Sequence, residues 1–185
     1  MKVKLDLHTH IWEASGFEPP NVEWAERVVR QAKAMGIDGI ALTEHRDKEP
    51  AFAYKEIFDR FFPGELLVFP GWETEIHPPN NHFQSYEVGE FLLPNGTVFR
   101  NYCHPGHPAR VIEIDNMQSI EIDNKNHNWH IDKAKVEAVA LEYGLLLTRV
   151  SDAHALKDIG TNYTEVDLDD FLSRGVVMEG WDKIL

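Results

Sequence analysis

Apolar runs of strand length recur along this chain, and most of them end on histidines or acids. The first run leads into Asp6-Leu7-His8-Thr9-His10, and Leu145-Leu146-Leu147-Thr148 leads into Ser151-Asp152-Ala153-His154. Between them, in similar positions, come Thr43-Glu44-His45, Gly71-Trp72-Glu73 and His104-Pro105-Gly106-His107-Pro108. That order suits strands whose C-terminal ends converge on one place. Alternate residues of a strand share a face, so His8 and His10 project together, and so do Asp152 and His154. Imidazoles and carboxylates brought together from several strand ends make a site for divalent metal ions. Each motif alone carries little weight. The ordered set carries the reading, because all ten histidines lie in or near these junctions.

The rest of the pattern alternates strand and helix. Lys2 to His8 reads as strand, and Val22 to Met35 as a helix with apolar residues at helical spacing, stopped by Gly36. Gly39 to Thr43 is the next strand, with a helical stretch over Ala51 to Phe61. Leu66 to Ile76 reads as strand with a break at Pro70-Gly71. His82 to Phe91 and Thr97 to Cys103 read as a hairpin turning at Pro94-Asn95-Gly96. Ser119 to Asp123 is strand, Ile131 to Tyr143 helix, and Leu145 to Val150 strand. A short strand near Thr164 to Val166 and a helix from Asp169 to Arg174 complete the chain. Alternating β and α units with ligands at the strand ends suggest a parallel α/β barrel, whose active site occupies that face. The chain is short for eight full units, so an incomplete or distorted barrel is expected.

With 185 residues, 43% of them apolar, a single domain with a sizeable core is expected. No run approaches the roughly 18 apolar residues of a membrane helix. The chain enters a strand at once, so no secretory signal is expected. One cysteine, Cys103, excludes an intrachain disulfide and fits a cytoplasmic setting; it reads as a half-buried strand residue. The net charge of −13 argues against a long nucleic acid partner but not against a small anionic substrate. Nothing in the sequence fixes an oligomeric state.

The motifs resemble those of the polymerase and histidinol phosphatase (PHP) family. Asp6-Leu7-His8-Thr9-His10 is similar to its first motif and Ala41-Leu42-Thr43-Glu44-His45 to its second, where the family usually has Asp before the His. Pro70-Gly71-Trp72-Glu73 is similar to the third, Cys103-His104-Pro105 to the next, and Ser151-Asp152-Ala153-His154 to the last. Ile120-Glu121-Ile122-Asp123-Asn124 is similar to a strand ahead of the family's final helix and strand. The resemblance spans about the whole chain, 1–185. It implies a distorted (β/α)7 TIM-like barrel with two or three divalent metals at the strand C-termini, and phosphoester hydrolysis. Carried over, His8, His10, Glu73 and Asp152 hold one metal. Glu73 bridges to a second, also bound by His104, while His45 and His154 hold a third. Two departures stand out. Where the family often has a third-metal ligand, this chain reads Trp12-Glu13-Ala14-Ser15-Gly16, and Glu13 is the substitute. The second metal also calls for a further histidine between Glu73 and His104; His82 is the candidate, with His77 left as a surface residue.

The resemblance thus implies a metal-dependent phosphoesterase, phosphomonoester favoured, working on a small phosphorylated metabolite or nucleotide. A metal-bound hydroxide would be the nucleophile, since bound metal lowers the pKa of water toward about 7. Glu73, Asp152 and His154 are the expected catalytic groups, and the ligand set suits zinc, manganese or iron. Candidate phosphate contacts are Arg46, His107, Arg110, Arg149 and Lys157. Arg149 is singled out because a charge in an apolar strand needs a partner. Asn124, Asn126, His127, Asn128, Trp129 and His130 form a polar, aromatic segment expected over the barrel mouth, with Trp129 anchoring it. The alternatives are a phosphodiesterase of short oligonucleotides or cyclic nucleotides, and a catalytically silent metal-binding module serving a partner protein.

Overall fold

The computed structural model describes residues 1–78 and 84–181. Eight strands form one sheet in the order β7-β6-β5-β4-β3-β2-β1-β8. They are β1 (Lys2–Thr9), β2 (Gly39–Glu44), β3 (Leu67–Ile76), β4 (Tyr86–Leu92), β5 (Val98–Tyr102), β6 (Ser119–Asn124), β7 (Leu146–Val150) and β8 (Thr164–Asp167). The sheet nearly closes on itself. Thr164 Oγ accepts the Arg149 N–H at 2.7 Å and donates to the Arg149 carbonyl at 2.9 Å, linking the outermost strands. Beyond β1, Thr9 also bridges in parallel to Ala153.

Regular β/α alternation holds only in part. The strands β1, β2 and β3 pair in parallel, as do β5, β6 and β7, but β4 runs against both its neighbours and β8 against β1. The expectation of seven β/α units is corrected accordingly: β3, β4 and β5 form an antiparallel meander that needs no crossover helix. The helices are α1 (Ile11–Ala14), α2 (Val22–Met35), α3 (Glu49–Phe61), α4 (Lys133–Tyr143) and α5 (Leu168–Ser173). The Asn21 side chain caps α2 by accepting the Trp24 N–H, and Gly36 ends the helix in the left-handed conformation at φ 70°.

Two apolar layers flank the first half of the sheet. Ile40, Leu42 and Val68 pack outward on Ala25, Val28 and Val29 of α2 and on Tyr54 and Phe58 of α3. Leu5, Leu7, Phe69, Phe91 and Phe99 form the second layer with Phe171 of α5. The expected break at Pro70-Gly71 does not occur. The strand runs through, pairing Gly71 with Thr43 on one side and Phe91 on the other. Gly71 serves close approach instead of a turn: a Cβ there would lie 2.0 Å from the Glu90 carbonyl oxygen.

Candidate metal centre

The C-terminal ends of β1, β2, β3 and β7 and the second residue after β5 bring the histidines and acids together. Strand alternation alone does not place them. Leu7 belongs to the apolar layer, yet the next residue, His8, faces Glu73 and Glu121. The register of β1 on β2 shifts between Asp6 and Thr9, and this irregularity turns His8 toward the centre.

Glu73 is the hub. Its Oε2 lies 3.2 Å from His8 Nε2, 3.1 Å from His45 Nε2 and 3.7 Å from His10 Nε2, while its Oε1 lies 3.0 Å from His104 Nε2. Asp152 Oδ1 lies 3.2 Å from His10 Nε2 and 3.5 Å from His8 Nε2. Two atoms bound to one ion at about 2.1 Å stand about 3.0–3.4 Å apart, so these separations suit ligands sharing a cation. The ligand atoms fall into overlapping groups, each compact enough for one ion: His8, His10 and Asp152; Glu73, Glu87 and His104; His104, His107 and His127; and His10, His45 and His154. The buried Nδ1 atoms of His10, His107 and His127 have no hydrogen-bond partner.

The last group is the most open, with the His45 side chain 37% and the His154 side chain 41% exposed. Glu13, carried on α1, lies 3.8 Å from His45 Nδ1 and 3.9 Å from His154 Nε2, whereas Ser15 turns back to the Trp12 carbonyl. The start of α1 is held by Glu44, which accepts the Trp12 N–H at 2.9 Å. Burial pushes the Glu44 carboxyl up to about 8.

Electrostatics follow from crowding charge in a dry place. Burial by itself would raise Glu73 and Asp152, but the facing histidines hold both carboxyls well below their ordinary range. Burial opposes protonation of His104, yet its hydrogen bond to Glu73 and that residue's charge push it up to about 9. His10 is lowered to about 4, chiefly by burial. Burial also keeps the Cys103 thiol well above its ordinary range; the residue is fully buried instead of half-buried, though it adjoins His8 and Glu73. Two residues of the cluster have left-handed backbones, His104 at φ 27° and Asp152 at φ 52°, a strain that clusters at functional sites. Asp6 supports the second: it accepts hydrogen bonds from Ser151 N–H and Oγ and from Gly160 N–H.

Three residues escaped sequence reasoning. Glu121 Oε1 accepts from His8 Nδ1 and Asn101 Nδ2, both at 2.8 Å, and Oε2 from the His104 N–H at 2.7 Å and Asn124 Nδ2 at 2.9 Å. It therefore sets His8 with its Nε2 toward Glu73 and fixes His104 as well. A signal existed, since Glu121 is a charge set between Ile120 and Ile122. Glu87 reaches His104 Nε2 at 3.6 Å, and His127 Nε2 comes 3.7 Å from Asp152 Oδ2. Glu121→Gln is expected to lower metal affinity about 10- to 100-fold while the protein stays folded. Competition with a chromophoric chelator measures it, and unchanged affinity would deny Glu121 this role.

The other sequence candidates fare unevenly. Arg149 is not brought to the centre: it alternates with the inward Thr148 and Val150, and its guanidinium pairs with Asp123 at 3.2 Å. Lys157 sits exposed on a turn against α2, its carbonyl accepting from Gln31. Arg46 lies over the Phe17 ring at 4.6 Å. Arg110 lines a cavity of about 210 Å³ with His130 and Lys135. His107 packs against His104, His127 and His130. His77 is exposed, and His82 lies outside the described residues. Trp129 does not anchor its segment, being 74% exposed.

Fold and side-chain cluster together define an α/β protein with a nearly closed eight-stranded sheet and, at one end, groups of histidines and acids that could hold metal ions. No family model and no curated protein matches the sequence. Among solved structures, PsfC from Pseudomonas syringae PB-5123 is similar at a TM-score of 0.65 and 16% identity, over 99% of this chain and 94% of that one. A Bifidobacterium adolescentis protein, provisionally named a metal-dependent phosphoesterase, is similar at a TM-score of 0.63 and 14% identity, over 95% of this chain and 98% of that one. At such identities the likeness concerns the fold. No helix among the described residues is long and apolar enough to cross a membrane.

Proposed function

We propose that this protein is a metal-dependent phosphoesterase, acting on a small phosphorylated compound and favouring monoesters. The observation that carries the reading is Glu73, set with both oxygens among His8, His10, His45 and His104. One carboxylate that faces imidazoles through both oxygens is the donor arrangement for bridging two cations. Zinc, manganese and iron all suit such ligands. Bound there, the ions supply charge neutralisation for phosphoryl oxygens and activation of water near neutral pH.

The chain's own part is positioning. His8, His10 and Asp152 form the buried end of the set; Glu121 locks the His8 ring and the His104 backbone, and the His107 carbonyl holds His104 Nδ1, so that both Nε2 atoms face Glu73. His45, His154 and Glu13 form the open end, where a substrate phosphate can enter. His154 is accordingly assigned to the reacting end, with Glu73 and Asp152 behind it. His107 and Arg46 are the two substrate-contact candidates that adjoin the cluster. The provisional naming of the similarly folded Bifidobacterium adolescentis protein as a metal-dependent phosphoesterase agrees with this reaction class. Incubating protein loaded with Mn²⁺ or Zn²⁺ with phosphate monoesters and diesters tests the reading. Metal-dependent phosphate release, faster from monoesters, is expected. No hydrolysis of any ester by fully loaded protein would refute it.

A further inference from the structure

Trp129, in the connection between β6 and α4, is an indole with little packing role, since 74% of the residue is exposed. Its surroundings are ordered by hydrogen bonds. Asn124 Oδ1 accepts the Asn126 and His127 N–H groups, at 2.9 and 3.0 Å. Asn128 Nδ2 donates to Asp123, and Asn126 Nδ2 donates to the carbonyl of Asp152 at 2.6 Å. The segment bearing Trp129 is thus tied directly to a residue of the metal centre. The Trp129 ring stacks on His127 with centroids 5.8 Å apart and planes at 29°. His127 in turn lies 4.4 Å from His104, centroid to centroid.

We propose that Trp129 is a stacking platform for the nucleobase of a nucleotide whose phosphate lies at the metal centre. The inference rests on the phosphoesterase reading and specifies its substrate class. An exposed indole stacked on His127, whose Nε2 lies 3.7 Å from Asp152 Oδ2, offers a flat face beside the ligand set. Every nucleobase has a π-face, so stacking tolerates all of them. The net charge of −13 disfavours a long polyanion, which leaves a mononucleotide as the fitting ligand.

The test compares a nucleoside 5′-monophosphate with ribose 5-phosphate, which differs only by the base. Metal-loaded wild-type protein is expected to favour the nucleotide about tenfold or more in kcat/KM. Trp129→Ala should collapse that ratio, and Trp129→Phe should restore most of it. Independently of turnover, the nucleoside alone should quench tryptophan fluorescence in metal-free protein, and Trp129→Ala should abolish the quenching. Hydrolysis of both esters without preference, with no quenching, would overturn the platform and leave the phosphoesterase reading standing. Quenching that depends on Trp129, without hydrolysis of either ester, would support the platform and refute the phosphoesterase reading.

Discussion

Glu73→Gln is expected to fold normally and to lose about a thousandfold or more of the phosphate release, along with at least one bound ion. The substitution keeps the shape of the side chain. It removes the negative charge and replaces one of two acceptor oxygens with a donor. In the native centre those oxygens stand 3.0–3.7 Å from the Nε2 atoms of four histidines, His8 near the end of β1, His10 and His45 just after β1 and β2, and His104 two residues after β5. Among the described residues no other acid approaches all four. An amide cannot offset two divalent charges, and its NH₂ would face one of the imidazole groups. Ion content by elemental analysis, read beside phosphate release, separates a ligand from a mere structural contact. Activity within tenfold of wild type would remove Glu73 from the centre.

Stripping the metals is expected to lower Tm by about 10 °C or more, because ligand binding to the native state adds several kcal/mol and a domain of this size shifts a few degrees for each. The loss should be larger at pH 9 than at pH 6.5. Without ions, Glu73 is balanced by protonated His104, whose pKa is raised to about 9. A histidine raised in the folded state contributes stability that is complete below about 6.5 and disappears as pH climbs through 9. The metal-free protein therefore weakens across that window, while the ions hold the loaded protein's centre together. Burial raises Glu44 to about 8, so it titrates in the same window in both forms and largely cancels from the difference. His10, lowered to about 4, matters only on the acid side of neutrality. Thermal melts with and without chelator at the two pH values give the comparison. A gap that narrows toward pH 9 would contradict the assignment of His104.

Much of this was legible in the sequence, and the failures have local causes. The helix over Val22–Met35 was readable from its apolar spacing and its glycine stop, and the β4–β5 hairpin from Pro94-Asn95-Gly96. The antiparallel pairing of β4 on β3 was not, because a meander and a crossover differ in pairing partners that lie outside any one segment. His8 and His10 were rightly seen to converge, but the alternation argument hid the irregularity that puts Leu7 and His8 to use on the same side of β1. Arg149 drew notice as a charge in an apolar strand; its partner proved to be Asp123 on the neighbouring strand, away from the centre. His127 lay in a segment expected over the barrel mouth, where no periodicity reports which side chain turns inward. Glu121 showed the converse, a charge between two isoleucines that does face the centre and organises it.

The most direct measurement is the metal content of protein purified without chelator. Glu73 set among four imidazoles, with Asp152 beside two of them, predicts at least two divalent ions per chain. A stoichiometry reproducibly below one, in protein that remains folded and has been offered Zn²⁺, Mn²⁺ and Fe²⁺, would contradict it.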